Sequence, residues 1–199
     1  DTAGTLHLLN EAPGGGLAGI STQNVNVATD ATEGVDVNIT YLLDMSDMGS
    51  INFDYAATFL DTGYTIAIPG DDKVECAGAY AGPCGLPAPE YNHRFLATWV
   101  TPYDLTVSAT WRHIGETDLY GLTDPQGYLE DSMEERNYLD LAATYDYSEN
   151  VQVRFGANNL LGDDAPVTTS SGTGTGNNNT YPGLFDVSTY LFAGVTVKF

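Results

Sequence analysis

Apolar residues recur at every second position through most of this chain, a period of two that predicts β-strands with one apolar and one polar face. In residues 34–44, Val35, Val37, Ile39, Tyr41 and Leu43 alternate with Asp36, Asn38, Thr40, Leu42 and Asp44. Residues 50–62 set Ile51, Phe53, Tyr55, Ala57 and Phe59 against Asn52, Asp54, Ala56, Thr58 and Leu60. Residues 91–101 place Phe95, Ala97 and Trp99 opposite Asn92, Arg94, Leu96 and Thr98. Residues 103–114 are the most regular, with Tyr103, Leu105, Val107, Ala109 and Trp111 facing away from Asp104, Thr106, Ser108, Thr110 and Arg112. Residues 134–147 and 151–159 repeat the pattern. The last strand, residues 187–199, carries Leu191, Ala193, Val195, Val197 and Phe199 on one phase and ends on that phenylalanine. Residues 1–31 are less regular: 5–10 and 20–28 read as two strands around E-A-P-G-G-G-L-A-G, either part of the same wall or a hairpin beside it. His7 reads as a surface histidine, and His113 ends its strand on the apolar phase.

The connections alternate in length. Residues 44–49, 101–104 and 147–150 are tight turns, whereas 63–90, 116–132 and 160–186 are long polar loops. Sorting short turns to one side and long loops to the other is how outer-membrane barrels are built, and a soluble sandwich has no reason to do it. The cations agree. Arg94, Arg112, Arg136, Arg154 and Lys198 all fall on the polar phase, and Lys73 lies in a loop. A lipid-facing Arg or Lys at mid-bilayer would cost about 2–4 kcal/mol. The other phase carries Val, Ile, Leu, Ala and Phe, with Tyr and Trp near strand ends, the distribution of an interfacial girdle. The expected fold is all-β: an antiparallel transmembrane β-barrel wall.

Composition sharpens this. Only 17% of residues are charged, while Gly (22) and Tyr (13) are abundant, as suits membrane strands. No stretch reaches the roughly 18 apolar residues of a membrane helix. A net charge of −21 argues against a nucleic-acid partner, since phosphate binding needs a basic surface. Cys76 and Cys84, in C-A-G-A-Y-A-G-P-C, fit a small loop disulfide in an oxidising compartment better than free thiols or a metal site. No catalytic constellation, phosphate loop or metal cluster appears, so neither enzyme chemistry nor a cofactor is expected.

Several motifs carry a family resemblance. T-E-G-V-D-V-N-I-T-Y (residues 32–41) resembles the strand opening G-(V/I)-(D/E) in the late barrel of TonB-dependent outer-membrane receptors. N-N-L-L-G-D-D-A-P (158–166) looks like their N-L-x-(D/N)-x-x-P motif at the last outer loop. T-Y-P-G-L-F-D-V (180–187) resembles the Y-P-x-x-Y-D segment before the final strand, with Phe185 where Tyr is commoner, and G-V-T-V-K-F matches their terminus. The Cys76–Cys84 loop followed by P-E-Y-N-H-R-F-L-A-T-W is also similar.

The resemblance implies a 22-stranded barrel filled by an N-terminal plug. This chain would supply the C-terminal third of the wall over residues 32–199, with the plug and its TonB box outside this sequence. It further implies a bacterial outer membrane, lipid contact, biogenesis by the barrel-assembly machinery, coupling to the TonB complex and a small-molecule nutrient as ligand. Seven strands are counted from residue 34 and a complete barrel has an even number, so either residues 1–31 supply an eighth or the chain is the tail of a longer barrel. Residues 187–199 should then pair with 151–159 on one side and with a strand outside this sequence on the other. Loop residues Tyr80, Asp118, Tyr120 and Tyr128 are candidate ligand contacts, since aromatic and acidic loop residues suit stacking on a sugar or aromatic group. The strand cations should face the lumen. Two rivals remain: a complete eight-stranded structural or adhesive barrel, and a secreted β-sandwich using acidic loops for calcium. The latter lacks the EF-hand spacing.

Overall fold

A computed structural model describes residues 3–11, 17–26, 29–121, 132–168, 180–181 and 183–199, with backbone alone for 3–11 and 17–26. β1 (Ala3–Glu11) and β2 (Leu17–Asn26) form an antiparallel pair that shares no ladder with another strand among the described residues. The wall follows as β3 (Thr29–Asp44) and β4 (Ser50–Ile66), then β7 (Tyr91–Val100), β8 (Leu105–Ile114), β11 (Arg136–Ser148), β12 (Val151–Asn158) and β13 (Tyr190–Val197). Between them stand the short strands β5 (Val74–Glu75), β6 (Ala79–Tyr80), β9 (Thr117–Leu119) and β10 (Ser132–Met133). The wall order is β13-β12-β11-β8-β7-β4-β3, and every neighbouring pair is antiparallel. β3 and β13 are its two edges, so among the described residues the sheet does not close on itself.

Register keeps the two faces apart across the whole wall. Tyr41, Phe53, Ala97, Ala109, Leu141, Ala157 and Leu191 stand opposite one another in a single apolar row. The adjacent row is Leu42, Asn52, Thr98, Ser108, Ala142, Gly156 and Phe192. A slip of one residue anywhere would put a strand's polar set among its neighbours' apolar set, which is what pins the pairing. Val35, Ile39, Phe155, Leu191 and Val195 of the apolar phase remain exposed and make one face of the wall an apolar surface. On the opposite phase, Ile114 and Tyr138 are buried beneath the long loops, so that face is the lumen.

The strand ends differ from the alternation pattern in three places. β3 and β4 continue their ladder to Thr29 and Ile66, past a bulge between Glu33 and Gly34. At about 3.4 Å per residue they outrun the 9–11 or so residues a tilted strand needs to cross the bilayer, so this hairpin rises beyond it. β13 begins at Tyr190 rather than at residue 187. β12 ends at Asn158, opposite Tyr190, leaving residues 187–189 no ladder partner there. The long loops also contain ladders of two or three residues, too short to produce a readable period: β6 pairs in parallel with β9, and β9 with β10.

The turns follow local chemistry. Gly49 has φ 86°, and a Cβ there would lie 2.0 Å from the Val100 carbonyl oxygen. Trp99 donates from Nε1 to the Met48 carbonyl at 2.9 Å, tying this turn to the interfacial girdle. In the next turn the Thr101 hydroxyl donates to the Leu105 carbonyl at 2.8 Å and accepts from the Tyr103 N–H at 3.2 Å.

Gly156 lies under the Phe192 ring, and a Cβ would come within 2.5 Å of both that ring and the Leu141 carbonyl oxygen. Gly156→Val should therefore destabilise the wall by about 1–3 kcal/mol through overpacking. The check is the temperature at which the intact protein loses its folded electrophoretic mobility; a parental midpoint would contradict the packing account.

Candidate functional site at the outer mouth

The three long loops share one apolar core. Tyr80 and Ala81 come from the first loop, Leu119 and Met133 from the second, and Ala165, Tyr181, Leu184 and Phe185 from the third. They pack on Ile114 and Tyr138 of the wall. Tyr80 meets Tyr181 edge-on at 6.4 Å. Each large side chain fully buried in this way is worth about 1.5–3 kcal/mol, so the loops hold one another in place.

Beside this core is a polar hub that joins the two motif segments. Arg112 donates from Nε to Asp140 at 3.2 Å and from Nη2 to Asp186. Asp140 Oδ1 also accepts the Asn159 N–H at 2.8 Å. Asn159 is fully buried with φ 51°, a left-handed conformation that asparagine tolerates better than most residues. Its Nδ2 donates to the Asp163 carbonyl at 2.9 Å, its Oδ1 accepts the Asp163 N–H at 3.1 Å, and its carbonyl accepts the Thr189 hydroxyl at 2.7 Å. Asp163 Oδ2 in turn accepts the Asn137 N–H at 2.9 Å. Arg136 donates to the Asp164 carbonyl at 3.0 Å. In the second segment the Tyr181 carbonyl accepts the Leu184 and Phe185 N–H groups at 2.9 and 3.0 Å. That turn buries Phe185 and brings Asp186 onto Arg112. Asn159, Asp163 and Asp186 lie within the two quoted motifs, which carry the resemblance but assign these residues no role, and Asp140 is a polar-phase acid that register places near Arg112.

The expected site residues are distributed as follows. Tyr80 is turned inward with 2% of its surface exposed, which corrects its expected place as a ligand contact: it is a core residue of the loop cluster. Tyr120 is 37% exposed, and its N–H donates to the Tyr80 carbonyl at 2.9 Å. Asp118 is exposed on β9. Tyr128 lies outside the described residues. Cys76 and Cys84 form a disulfide with their Cα atoms 5.3 Å apart. Arg94, opposite Arg112 in register, is exposed on the lumen face. Arg154 lies over the Phe192 ring at 5.4 Å. Lys198 follows the end of β13, where its N–H donates to the Asn150 carbonyl at 2.9 Å. Leu191, Ala193, Val195 and Val197 pair with Ala157, Phe155, Val153 and Val151, and Phe199 is fully exposed.

On the outward face, near the outer end, the aromatic residues form a second cluster. Phe59 stacks on Tyr91 at 4.8 Å, His93 on His113 at 5.2 Å, and Trp111 meets His93 edge-on at 4.5 Å. His113 Nδ1 and Trp111 Nε1 each lie 3.0 Å from Asn137 Oδ1. This is a girdle of rings with polar tips, and His113 belongs to it.

No protein-family model and no curated protein sequence matches the chain. Solved structures do. A variant of the ferric enterobactin receptor PfeA from Pseudomonas aeruginosa superposes with a TM-score of 0.56 at 16% identity, over 89% of this chain and 24% of that one. The copper transporter OprC superposes with a TM-score of 0.54 at 18% identity, over 99% of this chain and 28% of that one. This chain thus spans about a quarter of the length of the receptors it matches. At these identities the likeness concerns the fold, an antiparallel β-barrel wall shared with part of each of those two chains.

Two tests follow from this geometry. Asn159→Ala removes the side-chain bonds on both sides of Asp163 and leaves alanine in a left-handed backbone. Local stability of residues 159–164 should fall by about 2–5 kcal/mol, the sum of about 1–2 for the backbone and about 0.5–1.5 for each of the two lost bonds. Hydrogen exchange of that segment is the readout, and unchanged protection would contradict the hub.

Glu75 accepts the Gly63 N–H at 2.6 Å and the Ala77 N–H at 3.3 Å. The Gly63 bond, followed by the Ala77 and Cys76 N–H groups and Lys73, holds its carboxyl below the usual range despite some desolvation. With the folded value below the unfolded one, this contact contributes above the unfolded carboxylate range and is lost as pH falls through the folded value. Exchange of the Gly63 and Ala77 amides, corrected for intrinsic rate, should therefore accelerate on acidification, and Glu75→Gln should abolish that dependence. An acid response that persists in the variant would assign it to another group.

Proposed function

We propose that this chain is a C-terminal part of a TonB-dependent outer-membrane receptor, forming barrel wall and outer loops for energy-coupled uptake of a small-molecule nutrient. The observation that carries the reading is the clamped mouth. Three long loops from one end of a membrane wall are packed over its lumen face and held there through Arg112, Asp140 and Asp186. A merely structural wall gains nothing from loops ordered over its lumen, whereas a receptor must present a preorganised surface above the path its cargo takes. Tyr120 and Asp118 are the expected ligand contacts that remain exposed on this surface. The neighbours named for ferric enterobactin and copper support the receptor class and leave the nutrient open.

In this reading the cargo binds at the mouth and on a plug domain outside this sequence. TonB-transmitted energy then rearranges the plug, with the wall fixed. The apolar phase contacts outer-membrane lipid, and the apolar alternation of β13 is read by the barrel-assembly machinery during insertion. The bacterial outer membrane is the location.

The test uses cells carrying the intact gene or its deletion, supplied with a panel of labelled nutrients: a ferric siderophore, cobalamin, an oligosaccharide and copper. One member should accumulate only when the gene is present, and a protonophore should abolish its accumulation while leaving surface binding intact. Gene-dependent accumulation that is insensitive to the protonophore would indicate a passive pore and overturn the proposal.

A further inference from the structure

We propose that Arg94 is the seat of a binding site on the lumen face for a singly charged carboxylate or phosphate group. The ligand carrying that group also brings a hydrogen-bond donor.

The lumen face holds a cavity of about 480 Å³ lined by Asp36, Asn38, Thr58, Asn92, Arg94 and Arg112, with Leu184 of the third loop on its border. The other cations near it are engaged. Arg112 faces Asp140 and Asp186, Arg136 faces Glu134 and Asp163, and Arg154 lies over Phe192. Among the described residues Arg94 has no ion pair, hydrogen bond or ring contact. Its row explains why. Register sets it between Arg112, whose charge two carboxylates already cover, and Ala56, with Asn38 beyond. Of the acids in the neighbouring rows, Asp140 is taken by Arg112, and the other two have neutral partners: Asp36 accepts from the Thr58 hydroxyl at 2.7 Å, and Asp54 from Thr40 at 3.0 Å and Asn52 at 2.5 Å.

A guanidinium presents five N–H donors in a planar fork that suits a carboxylate or phosphate, and here the fork is empty beside a cavity of small-molecule size. Asp36 offers an acceptor on this cavity and repels a multiply charged anion. The ligand chemistry that fits is one acid group for Arg94 and a hydroxyl or amide donor for Asp36.

That acid group can come from a soluble cargo or from a carboxylate elsewhere in the same protein, and arginine labelling separates the two. The full-length protein in detergent is treated with phenylglyoxal, and labelling at Arg94 and Arg112 is read by mass spectrometry of their peptides. Gluconate, a hydroxylated monocarboxylate, is the probe, against chloride of equal ionic strength. If the site is open to cargo, Arg94 is labelled several-fold faster than Arg112 in chloride, and millimolar gluconate slows it at least threefold without affecting Arg112. If a carboxylate of the protein fills it, Arg94 is as slow as Arg112 in dilute chloride, and molar chloride speeds it several-fold by screening the pair. Fast labelling unchanged by gluconate, or slow labelling unchanged by salt, overturns the proposal. The inference rests on the receptor reading only for treating the lumen as the cargo path. Labelling does not depend on transport, so failure here with energised uptake intact would count against the Arg94 site alone.

Discussion

The order of this wall rests on one constraint, the separation of an apolar from a polar phase in register across every strand. A backbone N–H or C=O left unpaired in lipid costs several kcal/mol, so a strand that crosses a membrane needs both edges paired. A charged side chain on the outer surface costs a comparable amount, so each strand must keep its charges on one phase. The two requirements are met together by register. The row from Tyr41 to Leu191 is apolar across seven strands, and Arg94, Arg112, Arg136 and Arg154 fall on the opposite phase. The same constraint makes the edges at β3 and β13 the least self-sufficient part of the described sheet.

On the lumen side polarity is admitted, and the chain uses it to order its loops. Arg112 carries two carboxylates because they arrive from different parts of the chain: Asp140 from the wall and Asp186 from the end of the third loop. Asn159 completes the connection by turning the chain left-handed as it leaves β12 and bonding to Asp163. The two motif segments, at the two ends of the third loop, are in this way the two sides of one clamp. The apolar core of Tyr80, Met133, Tyr181 and Phe185 fills the space between loops and wall. Local electrostatics and packing thus convert three long loops into a single mouth over a fixed scaffold.

Much of the wall was legible in the sequence, because alternation and loop asymmetry are direct consequences of the membrane constraint. The strands from Tyr91 to Asn158 lie within a residue or two of where the alternation placed them. The site was less legible. Tyr80 reads as an exposed loop aromatic, and only the neighbouring loops reveal that Tyr181 covers it. Asn159 and Asp186 look like ordinary loop polars until the fold brings Asp140 and Arg112 to them. Pairings between distant loops leave no period in the sequence, and the two- and three-residue strands that join them are too short to leave one either.

The central claim, that this wall is a segment of a larger barrel, is tested most directly by mapping the neighbours of β13 in the intact protein. Cysteines placed at Val153 and Val195, directly opposite in register, should cross-link in the membrane with a short bifunctional reagent. A cysteine at Val195 combined in turn with one at Leu6 or Leu8 of β1, Ile20 or Val25 of β2, or Val35 or Ile39 of β3 should give no cross-link, because the outer edge of β13 pairs with no other described strand. A cross-link between Val195 and any of those positions would mean that this chain closes on itself, and would contradict the account.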